Sequence, residues 1–89
     1  MLALYISMLE TGHERNKMTE LYEEHRYALL MYALKVTNNN QAMAEDAVHN
    51  AFLSIIKEKE KYLYLDSRDF RALSVIIVRN KCIDLLRKE

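Results

Sequence analysis

Proline is absent from this chain of 89 residues, glycine occurs once and cysteine once. A single Cys82 among apolar neighbours excludes an intramolecular disulfide and fits a reducing compartment. One glycine, Gly12, cannot build the glycine-rich loop that cradles phosphates, and no Ser-His-acid or Cys-His arrangement has a supporting motif. Neither an enzyme nor a cofactor is expected. Apolar runs of the ~20 residues that span a bilayer are also missing. Residues 1–9 are apolar, but no basic residue precedes them and no small-residue cleavage pattern follows, so neither a secretory signal nor a membrane partner is expected. The expected location is the cytoplasm.

What remains is a helical composition, 51% apolar and of a size for one domain with little stability to spare. Formal net charge is zero, yet residues 1–56 hold four Lys/Arg against seven Asp/Glu, and residues 57–89 hold nine against six. The halves therefore differ by −3 and +3, an asymmetry that ordinary mixed surfaces also show.

Periodicity divides the chain into four helices. Leu2, Tyr5, Ile6 and Leu9 share helical spacing over residues 1–10. Thr11 and Glu14 have the spacing of a capping box, from which a long second helix runs. Its apolar stripe is Met18, Leu21, Tyr22, His25, Leu29, Tyr32, Ala33 and Val36. Asn38, Asn39 and Asn40 end it, because asparagine tolerates left-handed turns and caps well. The third helix covers about 41–59, with a core arc centred on Ala44, Val48, Ala51 and Ile55. Residues 57–61 alternate in charge and read as a solvated helix end. Asp66 or Ser67 caps the last helix.

That last helix, residues 70–88, is the element the others must accommodate. From Leu73 to Val78 it is apolar almost all the way round, which predicts burial of its first half, Ile77 included, with the stem of Arg79 packed in the apolar arc. Beyond it Asn80, Lys81, Asp84, Arg87 and Lys88 gather on one arc. Short connections between four helices predict a compact all-α bundle.

Two faces are candidate sites. On the third helix Glu45, Asp46, His49, Asn50 and Lys57 form a polar arc with Leu53 near its middle and Ile56 beside it. Such a face is either an interaction surface or an ordinary solvated one with a stray leucine. Glu45 or Asp46 with His49 could also reach a metal ion, but Glu10 and His13, the nominal partner pair, are separated by the break at Thr11 and Gly12. Around the entry to the last helix Tyr62, Tyr64 and Phe70 interleave with Lys59, Lys61, Arg68 and Arg71. Aromatic and basic residues so mixed can stack on and neutralise single-stranded nucleic acid, or plug the end of a core. The arc from Asn80 to Lys88 reads equally as a solvated face with an ion pair from Asp84 to Arg87 or Lys88.

Several segments together resemble region 2 of bacterial sigma factors, especially the extracytoplasmic-function type, over roughly residues 19–88. They are Leu21-Tyr22-Glu23-Glu24, Tyr32-Ala33-Leu34, the run 44–52 (Ala-Glu-Asp-x-Val-x-x-x-Phe), Phe70-Arg71-Ala72 and the run 79–87 (Arg-Asn-x-x-x-Asp-x-x-Arg). The resemblance implies a four-helix domain that binds RNA polymerase core, at the clamp of the beta-prime subunit, through its third helix. It also implies recognition and opening of the promoter −10 element, as single-stranded DNA, through the last helix and the loop before it. By position Asp46, His49 and Asn50 would meet polymerase, joined by Glu45, Leu53 and Ile56 from the face they share. Asn80, Lys81, Asp84 and Arg87 would lie at the promoter strand, and Lys88, Tyr62, Tyr64, Arg68 and Arg71 extend that surface. An anti-sigma factor is a further partner class. Where the family usually has Gln the chain has His49; Leu73 replaces an aromatic, and Ile76 stands near a position that is often basic. Members also carry a C-terminal helix-turn-helix domain beyond the length seen here, so the expectation is one region 2-like domain from a fragment or truncated member. The runner-up is an interaction-only helical module, a degenerate sigma-like protein that binds polymerase or another protein without reading DNA.

Overall fold

Thr11 is the point from which the fold is most simply built. Its hydroxyl accepts from the Glu14 amide at 3.1 Å, and the Glu14 carboxylate accepts from the Thr11 amide in return, so the capping box of the sequence exists as drawn. The computed structural model describes residues 2–88; Met1, assigned by periodicity to the first helix, and the terminal Glu89 lie outside them. Five helices follow one another: α1 Leu2–Ser7, α2 Gly12–Val36, α3 Gln41–Lys57, α4 Lys59–Tyr62 and α5 Ser67–Arg87. No strand occurs among the described residues. The all-α class is as expected, but the count of four is not.

The extra helix is the single turn α4. Glu58 leaves helical geometry at φ −116° and ψ 43°, so the charged run is a break between two helices instead of the end of one. Lys59 and Glu14 explain why the chain turns there. Their side chains meet at 3.1 Å, half-sheltered, and the same carboxylate also accepts from the Glu10 and Thr11 amides. The other boundaries follow local chemistry. Asn38 and Asn39 adopt φ of 55° and 65°, the left-handed region that asparagine tolerates. Asn40 caps α3 by accepting from the Met43 amide, and Asp66 caps α5 by accepting from the Asp69 amide.

The three long helices pack on one another, and α1 lies against α2 and α3. Met18, Leu21, Leu29 and Ala33 of α2 are buried, the stripe the sequence predicts, with Tyr22, Tyr32 and Val36 at its edges. On α3 the buried set is Met43, Ala44, Ala47, Ala51, Phe52, Ile55 and Ile56, and its alanines allow the close approach of α5. Val48, predicted at the centre of this arc, is only half-buried.

α5 departs most from expectation. Its buried residues, Phe70, Ser74, Val78 and Cys82, form an i, i+4 stripe that runs through both halves of the helix. Leu73, Val75 and Ile77 flank this stripe half-buried, whereas Ile76 is 53% exposed. Arg79 lies 100° round from Val78 and is exposed, not packed. The apolar run 73–78 suggested cover on all sides; α2 and α3 supply it on one. Ser74 sits in the core without penalty because its hydroxyl donates to the Arg71 carbonyl at 3.1 Å. Burial pushes the Cys82 thiol up, which leaves it protonated and unreactive.

Candidate functional site

The polar face of α3 begins one turn beyond the Asn40 cap. Glu45 and Asp46 are exposed, and His49, Asn50 and Leu53 are half-buried. Leu53 packs against the core at its edge and does not stand free in solvent. Ile56 is 6% exposed and cannot present its side chain to a partner, which corrects its place in the predicted surface. The reason is α1. Tyr5 stacks on Phe52 with centroids 5.4 Å apart, so the side of α3 that carries Phe52, and Ile56 one turn on, turns inward.

α1 also completes a groove of ≈ 450 Å³ bounded by Tyr5, Tyr22, Arg26, Leu30, Glu45, Asp46, Val48 and His49. Carboxylates stand on one wall, and the Arg26 guanidinium lies 5.5 Å over the Tyr22 ring on the other. A hydrogen bond of 2.8 Å joins the Tyr5 hydroxyl to His49 Nδ1. Burial, and secondarily Tyr22, push the Tyr5 hydroxyl up to about 12, so it keeps its proton. Sequence reasoning placed Tyr5 only in a helical core stripe; no local pattern links residues 44 apart.

The second face runs from α4 through residues 63–66 into α5. Here the interleaved aromatics separate. Tyr62 is 6% exposed and Phe70 is fully buried, so both plug the core, and Tyr62 is withdrawn as a stacking surface. Lys61 caps the Tyr62 ring from outside at 5.4 Å. Tyr64 is 62% exposed, with its ring stacked on His13 at 5.8 Å. Arg68 is almost wholly exposed. Arg71 is half-buried on the side facing α2, where its Nε donates to His25 Nδ1 at 2.7 Å.

Along α5, Asn80 and Arg87 are seven residues apart on one exposed line that also carries Ile76. Asp84 and Lys88 are exposed and Lys81 is half-buried. Among the described residues Asp84 forms no ion pair with Arg87 or Lys88, so the intrahelical pair of the solvated-face reading is not made. The two faces adjoin at Asp46, which also borders a second groove with Asn40, Ala42, Met43, Leu85 and Lys88. A carboxylate from one predicted surface thus shares a groove with an ammonium from the other. No helix among the described residues is long and apolar enough to cross a membrane.

Compared with known proteins, residues 21–89 match the family model described as Sigma-70 region 2. The match takes in most of α2 and all of α3 to α5, and leaves α1 outside. No curated protein and no solved structure matches the chain.

Proposed function

The chain belongs to the sigma-70 region 2 family, and on that premise we propose that α3 docks on core RNA polymerase while α5 and the 63–66 connection address the promoter. Region 2 is a transcription initiation module, not a known enzyme family; it binds polymerase and promoter DNA and acts in promoter melting. In this chain the polymerase face is Glu45, Asp46, His49 and Asn50, with Leu53 as its apolar edge, and the partner is the clamp of the beta-prime subunit. Asn80, Asp84, Arg87 and Lys88 face the single-stranded −10 element, with Lys81 at their flank and Tyr64 and Arg68 at the loop. Arg71 has another task, because His25 already engages it. We assign the chain to the extracytoplasmic-function type, working in the cytoplasm as one region 2 domain, with an anti-sigma factor as a competitor for the α3 face.

The observation that carries this reading is the exposed acidic pair Glu45 and Asp46 on α3, set beside a partly open His49 and Asn50. A charged rim around a half-buried leucine suits a groove on a larger partner. Titration of the chain against core polymerase tests it. Asp46→Ala is expected to weaken binding by about 1–3 kcal/mol while the fold is retained. Native affinity in both Asp46→Ala and Asn50→Ala variants would remove α3 as the docking face.

One observation favours a module that binds polymerase but reads DNA poorly. Of the three aromatics near the α5 entry only Tyr64 is exposed, and His13 already covers one face of its ring. Strand separation needs stacking surfaces to receive the freed bases. Polymerase loaded with the chain but unable to open a −10-like duplex would select this second reading.

A further inference from the structure

We infer that Tyr5, outside the family-matched stretch, is a positioning residue: its hydroxyl holds His49 as an outward-facing Nε2–H donor for an oxygen acceptor on the polymerase. The inference rests on the α3 reading above and adds to it a residue and a chemical identity for the contact.

The direction of the hydrogen bond comes first. Tyr5 is 1% exposed, and His49 Nδ1 at 2.8 Å is the hydroxyl's sole partner among the described residues. If Nδ1 carried the proton and donated, the phenolic O–H would be left without a protein acceptor on a residue only 1% exposed. Tyr5 therefore donates and Nδ1 accepts. A neutral imidazole that accepts at Nδ1 carries its hydrogen at Nε2.

The exposure of Nε2 follows from the rest of the hydrogen bonding. Nε2 of His49 makes no bond within the protein, yet among the described residues no buried side-chain nitrogen or oxygen lacks a partner. Nε2 is then open to solvent, on a residue that borders the groove together with Glu45 and Asp46. This N–H can do the work of the amide N–H that a glutamine at this position would offer. Glutamine reaches out on its own flexible stem, whereas an imidazole presents either a donor or an acceptor depending on tautomer and ring flip. Tyr5 removes that choice, and a preorganised donor loses less on binding.

Tyr5 can hold the ring because it is itself fixed. Its own ring lies 5.4 Å from Phe52 and 5.8 Å from Tyr22, and Leu9, two residues past α1, is 2% exposed. Tyr5→Phe keeps this packing and deletes one hydroxyl.

A double-mutant cycle read by affinity for core polymerase tests the inference. Tyr5→Phe is expected to weaken binding about three- to tenfold, the scale of one lost hydrogen bond, with an unchanged circular dichroism spectrum. In a His49→Gln background the same change is expected to alter affinity less than about twofold, since the amide needs no tautomer set. Equal losses in both backgrounds, or no loss in either, overturn the role of Tyr5 and leave the α3 face standing. A native chain that does not bind core removes the α3 reading and this role with it. Imidazole nitrogen spectra of the free native chain give a check that needs no variant. They should show His49 protonated at Nε2 with Nδ1 as acceptor, and a proton on Nδ1 overturns the inference.

Discussion

Arg71 donates from Nε to Nδ1 of His25 across 2.7 Å, so a buried imidazole accepts a hydrogen bond from a cation. With Nδ1 accepting, the ring proton is on Nε2, which reaches Ser67 Oγ at 3.1 Å; that hydroxyl donates to Glu24 at 2.6 Å. The chain of bonds ties α2 to the first turn of α5. Burial first, and the Arg71 charge second, hold the His25 pKa below the ordinary histidine value, with Glu24 opposing. Below about pH 6.5 the unfolded chain therefore takes up a proton that the folded chain refuses, and stability falls with pH until the folded value is passed. Melting temperature should decline from about pH 6.5 downward, ahead of any carboxylate titration. A flat profile between about pH 7 and 5 would show that His25 is not held neutral by the fold.

The Glu14 and Lys59 pair acts in other windows. Lys59, first through its hydrogen bond, holds the Glu14 carboxyl below the usual range, and Glu14 raises Lys59 in turn. The pair's contribution is present above the unfolded glutamate value of about 4.3 and is lost as pH falls through the folded one; on the alkaline side it fades as Lys59 deprotonates. Lys59→Met should lower the denaturation midpoint at neutral pH, whereas Lys61→Met should not. Equal midpoints for the two variants would make the pair an ordinary surface contact.

For the core, the sharp contrast is between neighbours on α5. Val78→Asp places an unpaired carboxylate at a fully buried site, a cost of several kcal/mol against a total of about 5–15, and should unfold the chain. Ile76→Asp, at a position 53% exposed, should melt within a few degrees of native. Thermal melts of the two variants decide, and similar midpoints would mean that α5 is rotated from the arrangement described.

Promoter reading predicts a division of labour along α5. Arg87→Ala and Lys88→Ala should each reduce the salt dependence of single-stranded −10 DNA binding by about one unit of slope, whereas Asn80→Ala should alter base preference with the slope kept. Arg71→Ala should instead lower stability, because it strips His25 of its donor. If no α5 variant changes slope or preference, α5 is not the reading helix.

Caps and turns were legible because their chemistry is local: Thr11 with Glu14, Asn38 and Asn39 with positive φ, Asn40 and Asp66 as caps. The rotation of the helices was not. Apolar spacing cannot say which neighbour covers which side, so spacing alone turns Ile56 and Tyr62 outward and Ile76 and Arg79 inward, against their observed burial. Polar pairs between helices left no signal either. Tyr5 with His49, Glu14 with Lys59 and His25 with Arg71 are separated by 44, 45 and 46 residues, and each is fixed only once the bundle has formed. The α3 and α5 motifs were the exception, since they stand in the chain as ordered residue patterns.

The stretch that identifies the family begins at residue 21, but Tyr5, Leu9 and Met18 before it are as deeply enclosed as anything after it. Inheritance and cooperativity thus draw different borders in this chain. A protein trimmed to the recognisable segment would carry both family motifs and still leave the Tyr22 and Phe52 rings facing water where Tyr5 had been. Lys59 would be without the carboxylate that anchors the turn after α3. The family match starts at residue 21, whereas the packing that closes the bundle already draws on Tyr5, Leu9, Glu14 and Met18.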